Sequence, residues 1–330
     1  MPTRRSRSPA RSAASAERQP SRPWPTLSTL WPTWSTDMFM ALVRLHYWVL
    51  VRWPSLLRRL HRFFTRAVNE ERRGECVYTD ANAKFEICKE LPPRPPRCCR
   101  IIMISDTHCG HRHMWVPDGD VLIHAGDFLA EWDHSEAQLS DFAAWLAALP
   151  HAAKIVCAGN HDRLLDPSLD RDWRRHRATL SAVATYLDPS QPCATVFGLR
   201  VAASPVSRSR SASKNRAFQH IDSPTAAALG GSCDLLVTHA PPKGVLDGGA
   251  GLDEVRALAL ALQPRLHCFG HVHHTPGIFR HADFGRTIYC NAASCNWFWC
   301  AVRRPVVCDL TLTAFETRIL HAGAYRRDQE

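Results

Sequence analysis

Ile101-Ile102-Met103-Ile104-Ser105 is an apolar run of strand length, and it stops at Asp106-Thr107-His108. Side chains two apart on a strand point the same way, so near its end Asp106 and His108 can converge on one point. A carboxylate oxygen beside an imidazole nitrogen starts a site for Zn, Mn or Fe. The same event recurs four times. Short apolar runs end at Asp127, at Asn160-His161, at His239, and at His271-Val272-His273. In α/β sheets ligands gather beyond the carboxyl ends of strands, so loop tips far apart in sequence can meet there. The residue types suit two divalent cations about 3.5–4 Å apart, which need a bridging carboxylate and neutral ligands on either side. Asp127 is the bridge, because Gly126 before it allows a tight turn. Asp106, His108 and His273 would hold one cation. Asn160, His239 and His271 would hold the other, the Asn amide oxygen adding no charge to an anionic site.

The elements that must position these tips alternate at first. Ile101–Ser105, Asp120–Ala125 and Lys154–Ala158 read as buried strands, with a helix over Ser135–Leu149 capped by Ser135 and closed by Pro150. Residues 163–192 read as loop and helix, and Cys193–Val201 as a hairpin. Asp234–Thr238 and Leu266–Phe269 are two more buried strands around a helix at Leu252–Gln263. Thr287–Asn291, Val306–Leu312 and Ala314–Leu320 follow as antiparallel strands. This order predicts two sheets face to face with helices outside.

Asp106-x-His108, Gly126-Asp127, Gly159-Asn160-His161-Asp162, His239 and Gly270-His271-x-His273 stand in the order of the calcineurin-like metallophosphoesterase motifs, and residues 101–273 resemble that superfamily. Thr238-His239-Ala240-Pro241-Pro242, Phe269-Gly270-His271-Val272-His273 and Asn291-Ala292-Ala293-Ser294 resemble in particular the metallophosphoesterase-domain-containing family. The resemblance implies a four-layer α/β/β/α sandwich of two mixed sheets. It also implies an intact two-metal site (Mn, Fe or Zn, with Mn favoured), since His271 is kept where some relatives carry Gly. Gly126-Asp127-Phe128-Leu129-Ala130 lacks the Gly-Asp-x-Val-Asp-Arg-Gly run of serine/threonine protein phosphatases. Ala130 stands where purple acid phosphatases carry Tyr.

The implied reaction is hydrolysis of a phosphoester by a water activated between the metals. The resemblance gives His161 the leaving-group proton or the stabilisation of the transition state, with Asp162 placed to orient its imidazole. Cys109, His111 and His113 read as exposed loop residues. Thr238, Pro241 and Pro242 shape the turn that presents His239, and Asn291 supports the site. Phosphodiesters, cyclic nucleotides among them, are the favoured substrates over phosphoproteins. A phosphomonoesterase with the same site, or a metal-binding adaptor with little turnover, are the competing readings.

Charge separates this core from what precedes it. Residues 1–97 carry 18 Lys+Arg against 8 Asp+Glu, whereas residues 98–330 carry 23 of each. The excess of +10 is therefore a basic N-terminal extension, and a broad nucleic-acid track on the core is excluded. Residues 1–36, rich in Arg, Ser and Pro, read as disordered and also resemble an organelle transit peptide. Residues 38–53 are apolar but shorter than the ~20 residues that span a bilayer. Arg and aromatic residues interleave from there to Phe64, so residues 38–66 suit an amphipathic helix on a membrane surface, or one packed on the core. The Pro-rich joint at 91–97 is read as the boundary between the extension and a catalytic domain at 98–325. The 13 cysteines show no C-x2-C pair. They read as free thiols of a reducing compartment, cytoplasmic or at a membrane on its reducing side.

Overall fold

The computed structural model describes residues 54–80, 84–130, 133–208, 217–222, 224, 226–313, 316 and 320. The expected disordered leader, the apolar run 38–53 and residues 209–216 lie outside these residues. In chain order the elements are α1 (Pro54–Glu71), β1 (Cys76–Thr79), β2 (Phe85–Cys88), β3 (Cys98–Ile104), β4 (Val121–His124), α2 (Glu136–Ala148), β5 (Ala153–Cys157), α3 (Trp173–Ser181) and β6 (Thr185–Leu187). Then follow β7 (Cys193–Val196), β8 (Leu199–Ser204), β9 (Leu235–Thr238), α4 (Asp253–Leu262), β10 (Leu266–Phe269), β11 (Gly277–Phe279), β12 (Ile288–Asn291) and β13 (Val306–Thr311).

Two mixed sheets result. One runs β2-β1-β13-β3-β4-β5-β6, the other β11-β12-β10-β9-β8-β7. Strand alternation explains their packing. In β3, Ile101 and Met103 point between the sheets and meet Val201, Leu235, Val237, Leu266 and Cys268 in one buried cluster. Ile102 and Ile104 point the other way, onto Leu139, Phe142 and Leu146 of α2. The second sheet repeats this on its outer face, where Leu236, Phe269 and Tyr289 pack on Leu258, Ala259 and Leu262 of α4. Each such side chain contributes about 1.5–3 kcal/mol of burial. The four-layer α/β/β/α sandwich is the fold. Ser135 caps α2 by accepting from the Gln138 amide.

Several expectations are corrected. The fold does not begin at residue 98. β1 pairs in parallel with β13 and antiparallel with β2, so residues 76–88 complete the first sheet. Their short strands fell below the length at which alternation can be read. Helix α1 also docks on the core. The Asn69 side chain donates to the Ala301 carbonyl at 2.7 Å, and Arg72 donates to that of Val302 at 3.4 Å. β12 runs parallel to β10 and antiparallel to β11, so the expected antiparallel pairing holds on one side only. β13 leaves the second half of the chain and returns to the first sheet, antiparallel to β3. Glu316 and Leu320, the described residues of the expected last strand, are helical. Strand β6 lies inside the stretch expected to be loop and helix. None of the thirteen cysteines is in a disulfide, as expected. No described helix is long and apolar enough to cross a membrane.

Candidate active site

The ends of β3, β4, β5, β9 and β10 deliver the seven predicted ligands to one place. Asp106 and His108 follow β3, Asp127 follows β4, Asn160 follows β5, His239 follows β9, and His271 and His273 follow β10. The loops are joined by backbone bonds, Asp106 N to Gly126 O at 2.8 Å and His108 N to Asp127 O at 3.0 Å. Asp106, His108, Asp127 and His271 all have positive φ, of 53°, 41°, 55° and 67°. Non-glycine residues adopt that region at a cost of about 1–3 kcal/mol each, and such strain gathers at functional sites. Two glycines make room for them. Gly126 has φ 101°, and a Cβ there would stand 2.6 Å from His239 Nδ1; a Cβ on Gly270 would meet Asp106 Oδ2.

One group of ligand atoms comprises Asp106, His108 and His273. His273 Nε2 is 3.2 Å from Asp106 Oδ1 and 3.3 Å from His108 Nε2. A second group comprises Asp127, His239 and His271. Asn160 Oδ1 joins it, 2.8 Å from His271 Nδ1 and 3.1 Å from His239 Nε2. Asp127 Oδ2 lies between the groups, 3.2 Å from His239 Nε2 and 4.0 Å from His108 Nε2. Its other oxygen accepts the His161 amide at 2.7 Å.

These separations fit cations. Metal–ligand bonds of about 2.0–2.2 Å put neighbouring ligand atoms roughly 2.8–3.5 Å apart. Two imidazoles are also locked in the ligating sense. His108 Nδ1 lies 3.1 Å from the Leu129 carbonyl and His239 Nδ1 lies 2.9 Å from that of Ala125, so each Nε2 is turned to the site.

The metal-free electrostatics tell the same story. Burial opposes charge on Asp106, but the His273 hydrogen bond and the charges of His273 and His239 together outweigh it and hold the carboxyl well below its usual range. Burial likewise opposes charge on Asp127, and His239 and His161 overcome it. His108 is pushed well below its ordinary value by burial and the neighbouring His161. His271 falls to about 4 through burial and the charge of His239. Burial pulls His239 down, yet Asp127 and Asp106 lift it to about 9. Buried anions thus hold a proton where a cation would sit.

His161 stands beside the first group. Its Nε2 is 3.8 Å from Asp127 Oδ2, and its ring lies 4.7 Å from that of His108. The ligand atoms of His161, His108 and Asp127 also lie within 4.8 Å of one another, so His161 borders the ligand groups directly. Asp162 takes a different part from the expected one. Its carboxylate accepts three amides, from Asp127 at 2.8 Å, Gly159 at 2.7 Å and Leu129 at 2.9 Å, and so fixes the loop under the site rather than the His161 ring. Burial and the charge of Asp127 raise its carboxyl well above the usual range. His111 is not an exposed loop residue. It is buried, 2.9 Å from Asp141 and against Phe142 and Trp145, and the partly buried Cys109 donates to the Asp133 carbonyl. Asn291 does support the site. Its amide donates to the Val272 carbonyl at 2.9 Å, inside the His271–His273 loop. Thr238 ties the turn after β9 by donating to the Ala240 carbonyl at 2.7 Å.

Sequence reasoning missed two residues. Arg303 is partly buried and donates from Nη1 to the carbonyls of His273 and Cys295. Trp299 lies with its ring 4.6 Å from His108, 5.0 Å from His161 and 5.1 Å from His273. The one signal for them was the aromatic density of Trp297-Phe298-Trp299, hidden among cysteines.

A sequence model of the calcineurin-like phosphoesterase family matches residues 99–275. The chain is similar to Metallophosphoesterase domain-containing protein 1 of Homo sapiens and of Mus musculus. Identity is 33% over 252 residues, with 66% of this chain and 73% of each relative covered. It is also similar to UPF0046 protein K07C11.7 of Caenorhabditis elegans, 32% identical over 223 residues, covering 63% of this chain and 74% of that one. The matched span holds all seven ligand residues and His161, and the chain belongs to the calcineurin-like phosphoesterase family of metal-dependent phosphoesterases.

Proposed function

We propose that this chain is a two-metal phosphodiesterase favouring Mn(II) and a small diester, cyclic nucleotides included. The observation that carries the proposal is the position of Asp127 Oδ2 between two groups of ligand atoms, one on His239 and one on His108. Bound divalent cations supply Lewis acidity toward the phosphoryl oxygens and an activated water. Asp106, His108 and His273 would hold one cation, Asn160, His239 and His271 the other, and Asp127 would serve both. His161 gives its proton to the leaving oxygen. Water adds to phosphorus, the P–O bond to the leaving group breaks, and an alcohol and a phosphomonoester result. Preference for a diester is supported by the bonding of Arg303. The nearby guanidinium of Arg303 donates to backbone carbonyls, so the described side chains lining the site offer few of the forks that a dianionic monoester recruits.

The test is hydrolysis of bis(4-nitrophenyl) phosphate against 4-nitrophenyl phosphate by the full-length protein with Mn(II), with Asp127→Ala as control. The diester is expected to be cleaved faster, and Asp127→Ala to lose both activities. Two bound metals with neither ester cleaved would favour the adaptor reading. A second proposal concerns place. Phe63 and Phe64 of α1 are 65% and 58% exposed, which supports contact with a membrane surface. Co-sedimentation with anionic vesicles should fall when both are changed to Ser.

A further inference from the structure

Residues 294–303 form a closed loop over the site. Ser294 N donates to Ser105 O at 2.8 Å, and Arg303 N returns to Ser294 O at 2.9 Å, so both ends are pinned beside Asp106. Within the loop, Trp299 N donates to Asn296 O at 3.1 Å. The Asn296 side-chain oxygen accepts from Phe298 N at 2.9 Å and Cys300 N at 3.1 Å. This turn holds Trp299 at φ 60°, a strained position for a bulky residue. From below, α1 braces the descending limb through Asn69 and Arg72 on the carbonyls of Ala301 and Val302. The whole arrangement aims one indole at three imidazoles, with interplanar angles of 63–82°.

Two of those imidazoles, on His108 and His273, belong to one ligand group. The third, on His161, is the proton donor. A residue that flanks the donor borders the leaving group, because the proton travels to the leaving oxygen. Trp299 is only partly buried, although its ring meets three imidazoles. A flat, apolar, polarisable face beside a leaving group favours another flat ring.

We propose that Trp299 is a specificity-determining residue, the wall on which an aromatic ring in the leaving group of the phosphodiester stacks. The proposal rests on the phosphodiesterase reading above. Its positive φ fits the proposal, since strained backbone gathers at functional sites.

The experiment compares methyl 1-naphthyl phosphate with methyl phenyl phosphate, which differ in ring size but little in leaving-group acidity. Full-length wild type, Trp299→Leu and Trp299→Phe, each loaded with Mn(II), are assayed. Wild type is expected to favour the naphthyl ester by about fivefold in kcat/KM, carried by KM. Trp299→Leu should bring the ratio near one, and Trp299→Phe to an intermediate value, with the bound metal per chain unchanged. Calorimetry adds a reading without turnover. 1-Naphthylmethylphosphonate should bind wild type more tightly than methylphosphonate does, and Trp299→Leu should erase the difference. A ratio unchanged in Trp299→Leu overturns the proposal, as does a Trp299→Leu protein that loses its metal while Trp299→Phe keeps the wild-type ratio. If wild type binds metal and cleaves neither diester, the phosphodiesterase reading itself has failed. An active enzyme with a flat ratio defeats only the role of Trp299.

Discussion

The Asp162 carboxylate takes the backbone N–H of Asp127 at 2.8 Å, and through it steadies the residue shared by both ligand groups. The same carboxylate accepts from Gly159 and Leu129, so three buried amides depend on one side chain. Each amide left without an acceptor costs about 1–3 kcal/mol. Asp162→Ala is therefore expected to lower unfolding stability by at least about 3 kcal/mol and to weaken metal binding with it. Thermal unfolding and metal content measured together check this. A variant with wild-type melting temperature would end the clamp interpretation.

His161 should behave in the opposite way. His161→Gln is expected to keep both metals and the melting temperature, and to lose about 10²–10⁴ in kcat. The loss should be largest for esters of weakly acidic alcohols and smallest for nitrophenyl esters, whose leaving group needs no proton. Equal losses across both kinds of ester would remove His161 from proton transfer.

Metal removal should be felt by the fold. Asp106 and Asp127 are buried anions among buried imidazoles. A cation that binds only the folded chain stabilises it by about 2.7 kcal/mol when present at 100 times its Kd. Dialysis against a chelator is thus expected to lower the melting temperature and abolish activity, with both restored by Mn(II). Asp127→Ala should show no such shift. A chelator without effect on the melting temperature of the wild type would count against a preformed site.

Acid stability is expected to be set by buried histidines that are not themselves ligands. Burial pushes His124 and His267 down to about 3, and lowers His111 to about 4 against the pull of Asp141. The unfolded chain takes up these protons near pH 6.5 and the fold does not, so it is the neutral form that stabilises. That contribution is complete above about pH 6.5 and is lost as pH falls toward 4, at about 1.4 kcal/mol per pH unit for each histidine. Unfolding by urea at pH 7.5, 6 and 5 should follow this slope, and His267→Gln should flatten it. A stability constant between pH 7 and 5 would contradict these burials.

The fold and most of the site were legible because their signals are local. Strand β3 and the Asp106/His108 tip lie within eleven residues, and each later tip repeats the pattern of apolar run, turn and ligand. What could not be read depends on distant contacts. Asp162 follows His161 in sequence, so pairing the two was natural, yet its carboxylate faces amides 33 and 35 residues away. Trp299 meets His108 across almost two hundred residues, and its aim is set by the Asn296 turn rather than by periodicity. Strands β1 and β2 have four residues each and hold their place through β13, which lies more than two hundred residues later.

Asn69 gives that distance a measurable form. It spans the helix and the loop, bonding Thr65 O at 2.9 Å and Ala301 O at 2.7 Å. Asn69→Ala should cost about 1 kcal/mol in stability and raise KM while leaving the metals in place. An unchanged KM would place α1 outside the reaction.

The parallel pairing of β1 with β13 has a practical side. A fragment trimmed to begin at residue 98 would leave one flank of β13 with an open row of amides and carbonyls, an invitation to self-association through strand addition. Poor solubility of such a fragment would report a torn sheet, not a faulty enzyme. Protein made for assay should therefore start at or before Pro54, and the proline-rich stretch at 91–97 is best treated as an internal turn that must stay intact.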